Sequence, residues 1–554
     1  MHLIKVKLED GTILDCPPNT PAIELLKNSY NEKGLPYIAC LVNNEVCSLS
    51  FPLSVNCSLV FITHEHSYGM RVYRTGLTFL LAMAARRIYP DVRLIVEHSL
   101  GTAYYCSFES AGRKTGITEE EVRKIEEEMQ TLVGRNMPIE RRKLSYTDAL
   151  EIFELSGQKD KADLLRTLNP PRVVIYWCDG FSDLAYGPMV QTTGVLKYFR
   201  LARYAPGLIL QFPDTASPKK VGKFVDQPHL FKIFREHKEW GRILGVNTVG
   251  RLNQLIAKGE VEEFIRIQEA CHEKKIAMIA DSIVANKNIK IVLIAGPSSS
   301  GKTTFAKRLA IQLRVNGLHP QTISLDNYYV NDEDTPRDKD GRPDYENIKA
   351  LDVTLFNKHI MDLIRGKEVE LPFFNFVTKR REFRGEKIQL DENGILIVEG
   401  IHGLNPAFTY KIPDKNKFPI YISALTQLNV DFNNRISTTD NRLIRRLVRD
   451  CIFRNNSPLT TLKMWQSVRR GEKKWIFPFQ ARALATFNSA LDYEMAVLKP
   501  LAEPLLFTIK PCHLEYAEAR RLQMFLNPFL VIDQKYVPPN SILREFIGQS
   551  AFKY

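Results

Sequence analysis

Long apolar runs are scarce in this chain of 554 residues. Stretches such as residues 77–85 fall far short of the ~20 apolar residues that span a bilayer, which excludes a helical membrane protein. Paired cysteines are missing too. The nine cysteines are an odd number, scattered from Cys16 to Cys512, with no CxxC pair and no zinc-ligand spacing. Reduced thiols in a cytoplasmic protein are therefore expected, rather than a disulfide framework or structural zinc. There is no internal repeat and no low-complexity tract. With 44% apolar and 25% charged residues, wholesale disorder and a fibrous repeat are excluded. Residues 1–15 alternate apolar and charged positions and contain acids, whereas a signal peptide has a basic start and an apolar run. Positive charge is what the chain has in excess. Lys+Arg number 76 against 63 Asp+Glu, a net of +13, which points to phosphate-bearing partners without naming them.

At ~150 residues per domain the length suggests three or four domains. Residues 1–63 read as a small β-rich unit. Ile4, Val6 and Leu8 alternate with Lys5, Lys7 and Glu9, and Asp10-Gly11 supplies a hairpin turn before Thr12-Ile13-Leu14. Thr20 and Pro21 are placed to open a helix, and residues 37–42 and 58–62 read as strands. This is a β-grasp order, and the segment resembles a TGS domain, the ubiquitin-like module attached to threonyl-tRNA synthetases and some GTPases. Residues 64–215 read as α+β. His64 and His66 read as parts of a solvated turn, residues 73–89 as a helix, and residues 92–97 and 102–108 as strands. Thr118 and Glu121 form a capping box, flanked by a staple of Ile117 and Val122. Residues 216–288 read as a helical connector, 289–530 as an α/β domain, and 531–554 as a tail of undisclosed role.

Tyr73-Arg74-Thr75-Gly76-Leu77-Thr78-Phe79 and Asp183-Leu184-Ala185-Tyr186-Gly187-Pro188-Met189 resemble the second N-terminal domain of threonyl-tRNA synthetase. There an HxxxH pair and a CxxxH pair converge for editing or metal binding. The matching positions here are Thr75, Phe79, Ala185 and Met189, none a strong metal ligand. The resemblance implies a scaffold kept without its hydrolytic chemistry. It would serve either as a tRNA- or RNA-contacting appendage or only as packing.

The chemistry concentrates after residue 289. Gly296-Pro297-Ser298-Ser299-Ser300-Gly301-Lys302-Thr303 matches GxxxxGK[ST], between an apolar strand (residues 290–295) and an amphipathic helix begun by Thr304. Backbone N–H groups of such a loop and the following helix N-terminus hold phosphates. Lys302 can reach the β- and γ-phosphates, and the Thr303 hydroxyl is the expected Mg²⁺ ligand. ATP or GTP binding follows. Residues 394–398 form an apolar strand ending in Glu399, a second candidate for Mg²⁺. Thr322-Ile323-Ser324-Leu325-Asp326 is another strand ending in a carboxylate, and Asp326 is placed to take a proton from an acceptor hydroxyl.

The motifs GPSSSGKTT, LDNYY and IVEGIHGL together resemble the uridine kinase and phosphoribulokinase family over about residues 290–510. The resemblance implies a P-loop kinase with a parallel sheet. It would transfer the γ-phosphate of ATP, with Mg²⁺, to a nucleoside or sugar hydroxyl. It places Glu346 at the ribose hydroxyls. It places Phe374 and Lys379 at the base, where uridine kinases carry Tyr and His, so pyrimidine specificity is in doubt. It also makes Arg442, Arg445 and Arg449 an arginine lid over the phosphates. These, with Arg446, fall on one helix face at i, i+3, i+4 and i+7. Residues 435–474 hold 11 Lys+Arg against 3 Asp+Glu, a net of +8, so most of the chain's excess charge sits here. Trp465 and Trp475 interleave with these cations, an arrangement suited to a nucleotide or RNA. The alternatives are a kinase for another sugar or sugar phosphate, and an RNA-associated regulatory ATP-binding protein. A homo-oligomer is compatible with all of these.

Overall fold

A computed structural model of the chain describes residues 3–109, 116–338, 341, 343–375 and 378–553. It divides into two compact units that interleave along the sequence. The first is Met1–Gly259 with Gln427–Ser437 and Glu503–Val531; the second is Glu260–Thr426 with Thr438–Ala502 and Ile532–Tyr554. The five sequence segments do not map one-to-one onto these units. Residues 427–437 go with the first because Val96 donates its N–H to Phe432 O at 2.8 Å and Asn429 Nδ2 donates back to Val96 O at 2.9 Å. No helix among the described residues is long and apolar enough to cross a membrane.

The first unit opens with a five-stranded sheet. Its order is Ile13–Cys16, Ile4–Leu8, Cys57–Thr63, Tyr37–Val42, Glu45–Cys47, with Ile4–Leu8 parallel to Cys57–Thr63. Gly11 takes φ +85°, which the hairpin turn requires. Thr20 and Pro21 do not open an α-helix. They pair with Pro52–Leu53, and only a 3₁₀ turn, Ala22–Leu25, follows, because Thr20 donates its hydroxyl back to Pro17 O instead of capping.

The α+β part packs the helix Ser67–Ile88 into an apolar core with the sheet Arg200–Tyr204, Gly207–Gln211, Ala103–Glu109, Arg93–Leu100. The helix Glu119–Arg135 carries the capping box on Thr118 and Glu121, and Ile117 and Val122 are buried beneath it. His64 is not in a solvated turn. It is fully buried, stacked on Tyr73 at 4.7 Å with Nε2 on Pro218 O, while His66 caps the helix by accepting from Tyr68 N–H.

In the second unit, α1 (Val261–Val284) precedes β1 (Ile291–Ala295), α2 (Lys302–Val315) and β2 (His319–Ser324). Then come α3 (Val353–Ile364), the hairpin β3 (Val369–Asn375) and β4 (Arg380–Ile388), β5 (Gly394–Glu399) and β6 (Lys417–Ser423). The helices α4 (Thr438–Arg454) and α5 (Pro458–Trp475) precede β7 (Ala485–Asn488). The main sheet is wholly parallel, in the order β2-β5-β1-β6-β7. β1 is buried at every position, as a central parallel strand covered on both faces must be. Its C-terminal end and those of β2 and β5 lie together, the edge where ligands of open α/β sheets gather.

Candidate active site

The loop between β1 and α2 has the geometry its sequence demands. A Cβ on Gly296 would lie 2.1 Å from Ile422 O of β6, so only glycine lets the chain turn there. Ser299 and Gly301 both have positive φ, +59° and +81°, and the curl turns the loop into the start of α2. Ser299 and Ser300 are buried, 3% and 0% exposed, yet neither hydroxyl has a hydrogen-bond partner. A buried hydroxyl left unpaired costs roughly 1–3 kcal/mol, so this pair fits a ligand that accepts from them. Lys302 extends back along the loop, its Nζ donating to Pro297 O at 3.3 Å.

Carboxylates converge on the same edge. Glu399, at the end of β5, accepts from Ser324 Oγ at 2.9 Å and from Thr303 Oγ1 at 3.5 Å. Burial, and then the Asp326 charge, push Glu399 up to about 7, with Lys302 opposing. A buried carboxylate short of positive charge beside a threonine hydroxyl is a donor set that suits Mg²⁺. Asp326 does not end the strand: β2 stops at Ser324, and Asp326 lies two residues further, on the 3₁₀ turn Leu325–Tyr328. Glu346 is also pushed up to about 7, by burial and then by Glu472, with Arg446 and Lys302 opposing. Its Oε2 is shielded from solvent and has no hydrogen-bond partner. Gly471 makes room for it, since a Cβ there would meet Glu346 Cβ at 2.3 Å.

The arginine face of α4 is turned inward onto the loop. Arg442 donates to Ser298 O and to both oxygens of Glu472, whose Oε1 in turn accepts Ser298 N–H. Arg446, which sequence spacing put on the same face without giving it a role, donates to Ser298 Oγ at 3.0 Å. Trp465 lies under both guanidiniums, at 5.3 and 6.0 Å. Arg445 is fully buried and bound to Glu494 and Ser489, with one 3.5 Å contact to Ser299 O. Arg449 turns to Asp450 instead.

Of the residues expected at the base, Phe374 lies beside the turn that carries Asp326, its N–H donating to Asn327 Oδ1 at 3.4 Å, whereas Lys379 lies at the hairpin. Phe374 is buried, and its ring packs on Tyr329 at 5.4 Å, so its face is closed to a base. Val369 and Leu371 line the core of this unit, and the irregular register of the hairpin between Glu370 and Pro372 brings Phe374, not Phe373, to the same side. Lys379 sits at the hairpin with φ +56° and pairs with Asp332 at 3.6 Å. Asp332 in turn accepts from Tyr345, the neighbour of Glu346. Phe376 and Val377 of this stretch lie outside the described residues. Glu472 and Glu545, the latter on Thr304, were not legible as site residues. Glu472 is a lone acid in a basic run, a usable signal; nothing in the sequence marks Glu545.

The other candidate site, in the first unit, is filled. Phe79 is buried against Phe181, Met189 is buried, Ala185 packs on the same core, and Thr75 donates to Arg71 O. Beside them Lys161, 1% exposed, lies within 4 Å of Asp160, Asp183 and Asp431 and donates to Asn433 at 2.8 Å. Tyr186 donates to Asp431.

The phosphoribulokinase/uridine kinase family model matches residues 291–495. The N-terminal region is homologous to threonyl-tRNA synthetases. The threonine–tRNA ligase of Desulforamulus reducens is 27% identical over 52% of this chain and 48% of its own. That of Thermotoga petrophila is 34% identical over 36% of this chain and 30% of its own. The chain thus spans about half the length, or less, of these relatives. A solved chain described as a possible uridine kinase, from Bacillus stearothermophilus, is 19% identical and aligns with 39% of this chain and 98% of its own, at a TM-score of 0.27.

Proposed function

We propose that the second unit is an ATP- and Mg²⁺-dependent phosphotransferase acting on a hydroxyl of a nucleoside or similar ribosyl compound. The observation that carries this is the pair of buried, unpartnered hydroxyls of Ser299 and Ser300 within a GxxxxGKT loop. The family match over residues 291–495 supports phosphoryl transfer as the reaction class.

In this reading the loop N–H groups and Lys302 bind the triphosphate. Asp326 takes the proton of the acceptor hydroxyl, whose oxygen attacks the γ-phosphorus as the bond to the β-phosphate oxygen breaks and ADP leaves. Thr303 and Glu399 would hold Mg²⁺, which supplies charge neutralisation at the phosphates when bound. Arg442 and Arg446 face the same loop and would add positive charge beside the transferring group. Glu346 would accept from vicinal ribose hydroxyls. Because the Phe374 ring is covered by Tyr329, base stacking there is not part of the proposal.

The test is coupled ADP release with Mg²⁺ across nucleosides, sugars and sugar phosphates. Stimulation by one acceptor class above the rate with water is expected. No stimulation by any of them would overturn a small-molecule kinase. Homology of the N-terminal region to tRNA ligases supports a second role, contact with tRNA. It predicts a gel shift that weakens steeply with salt. A flat titration would remove it.

A further inference from the structure

The C-terminal segment reaches the phosphate loop. Glu545, in the short turn Arg544–Ile547, accepts through Oε2 from Thr304 N–H at 3.1 Å and from Thr304 Oγ1 at 2.7 Å. Thr304 is the third residue of α2. N–H groups in a first helical turn have no partner within the helix and, with the helix dipole, hold anions. In GxxxxGK[ST] loops these backbone N–H groups cradle the α- and β-phosphates. One carboxylate oxygen of this chain therefore holds donors that a nucleotide's phosphate needs.

The contact is built, not incidental. Thr304 is 0% exposed, and Ile542, Leu543 and Phe546, which flank Glu545 in the sequence, are all buried. Ile542 Cγ2 lies 2.4 Å from the place a Cβ on Gly301 would take, so the segment seats directly on the loop. Arg544 fastens the turn by donating to Gln534 O and Val537 O. The rest of the cradle is differently provided: the buried hydroxyls of Ser299 and Ser300 have no partner. The loop is thus filled by a carboxylate at one end and left unsatisfied at the other.

We infer that Glu545 is a resident competitor for the α-phosphate. A nucleoside triphosphate seats by displacing this one side chain, while the anchored backbone of the segment stays in place. Pyrophosphate, which can be held at the β- and γ-positions alone, leaves Glu545 where it is. The residue then sets how strongly the loop favours one phosphate ligand over another. This rests on the reading of the loop as a nucleoside triphosphate site.

Calorimetric titration of the full chain with ATP and with pyrophosphate, in Mg²⁺, tests it on wild type, Glu545→Ala and Glu545→Asp. The Asp variant keeps the charge but draws the carboxylate back by one methylene. Both variants are expected to bind ATP about tenfold tighter, the worth of a charge-assisted pair of hydrogen bonds. Pyrophosphate affinity of Glu545→Asp should stay within about threefold of wild type. Equal tightening of both ligands in Glu545→Ala with none in Glu545→Asp would mean that the charge acts only through its field, and would overturn the proposal. Unchanged ATP affinity would also overturn it while leaving the loop a nucleotide site. If pyrophosphate binds but ATP binds to none of the three proteins, the nucleotide reading falls and the proposal with it.

Discussion

The two units each bury a cluster of charged side chains, and the clusters differ in what they lack. In the first unit Lys161 is enclosed by Asp160, Asp183 and Asp431, and Asp431 also accepts from Tyr186 at Oδ2 and from Asn434 at both oxygens. The hydrogen-bonding capacity of that cluster is spent on the chain itself. In the second unit Ser299, Ser300 and Glu346 each keep a buried polar atom without a partner. Evolutionary kinship to an enzyme does not separate the two, since both regions resemble enzymes. Satisfaction of the polar atoms within each cluster does: the Lys161 cluster is filled by the chain's own groups, and the one at the phosphate loop is not.

The comparison breaks first at Asp326. If it is the proton acceptor, Asp326→Asn should lower turnover by about 10²–10⁴-fold, the usual worth of general base catalysis, with ATP affinity nearly unchanged. Single-turnover rates and a binding titration on the same protein check this; retained turnover removes Asp326 from the role.

Next comes Lys161. Replacing it by Met preserves volume but leaves the carboxylates of Asp160, Asp183 and Asp431 buried without their cation. Burial and the neighbouring Asp431 already push Asp183 up to about 7, with Lys161 opposing. Loss of about 3–5 kcal/mol is expected from denaturant unfolding of Lys161→Met, as for other broken buried pairs. A wild-type midpoint would show that the cluster is not what holds this region.

The fold was more legible than the site, and the reasons are local. A phosphate loop is contiguous, so the run Gly296 to Thr303 announces itself, and β1 before it is apolar at every position. Helix periodicity likewise put Arg442, Arg445, Arg446 and Arg449 on one face, but not where each guanidinium ends. That depends on Glu472, Glu494 and Asp450, which lie on other turns and elements. Glu545 meets Thr304 across 241 residues, a juxtaposition no periodicity encodes. Phe374 reads as a platform from its place in a motif; it is buried because the strand register shifts between Glu370 and Pro372, an irregularity that alternation from Val369 and Leu371 does not foretell. Thr20 misleads because its hydroxyl has a competing local acceptor in Pro17 O.

A smaller effect concerns pH. Glu399 is held up to about 7 by burial and Asp326, so it is largely protonated at pH 6 and ionised at pH 8. A metal ligand must be ionised, so affinity for Mg²⁺ should rise with pH, by about tenfold across that interval. Glu399→Gln should flatten the profile. A wild-type profile already flat between pH 6 and 8 would separate Glu399 from the metal.

The smallest effect is the sharpest test of the contrast between the units. Ser300 is fully buried with an unpartnered hydroxyl, beside a glycine whose Cβ would lie 3.0 Å from that oxygen. An unpaired buried hydroxyl is a cost to the ligand-free fold, so Ser300→Ala should raise unfolding stability by up to about 1 kcal/mol in the absence of nucleotide. The same change should weaken nucleotide binding by a comparable amount, so that the stabilisation disappears when saturating ATP and Mg²⁺ are added. A gain in the free protein that vanishes with ligand is what an unfilled site requires. If Ser300→Ala destabilises the free protein, its hydroxyl serves the fold, and the second unit's loop behaves as the Lys161 cluster does.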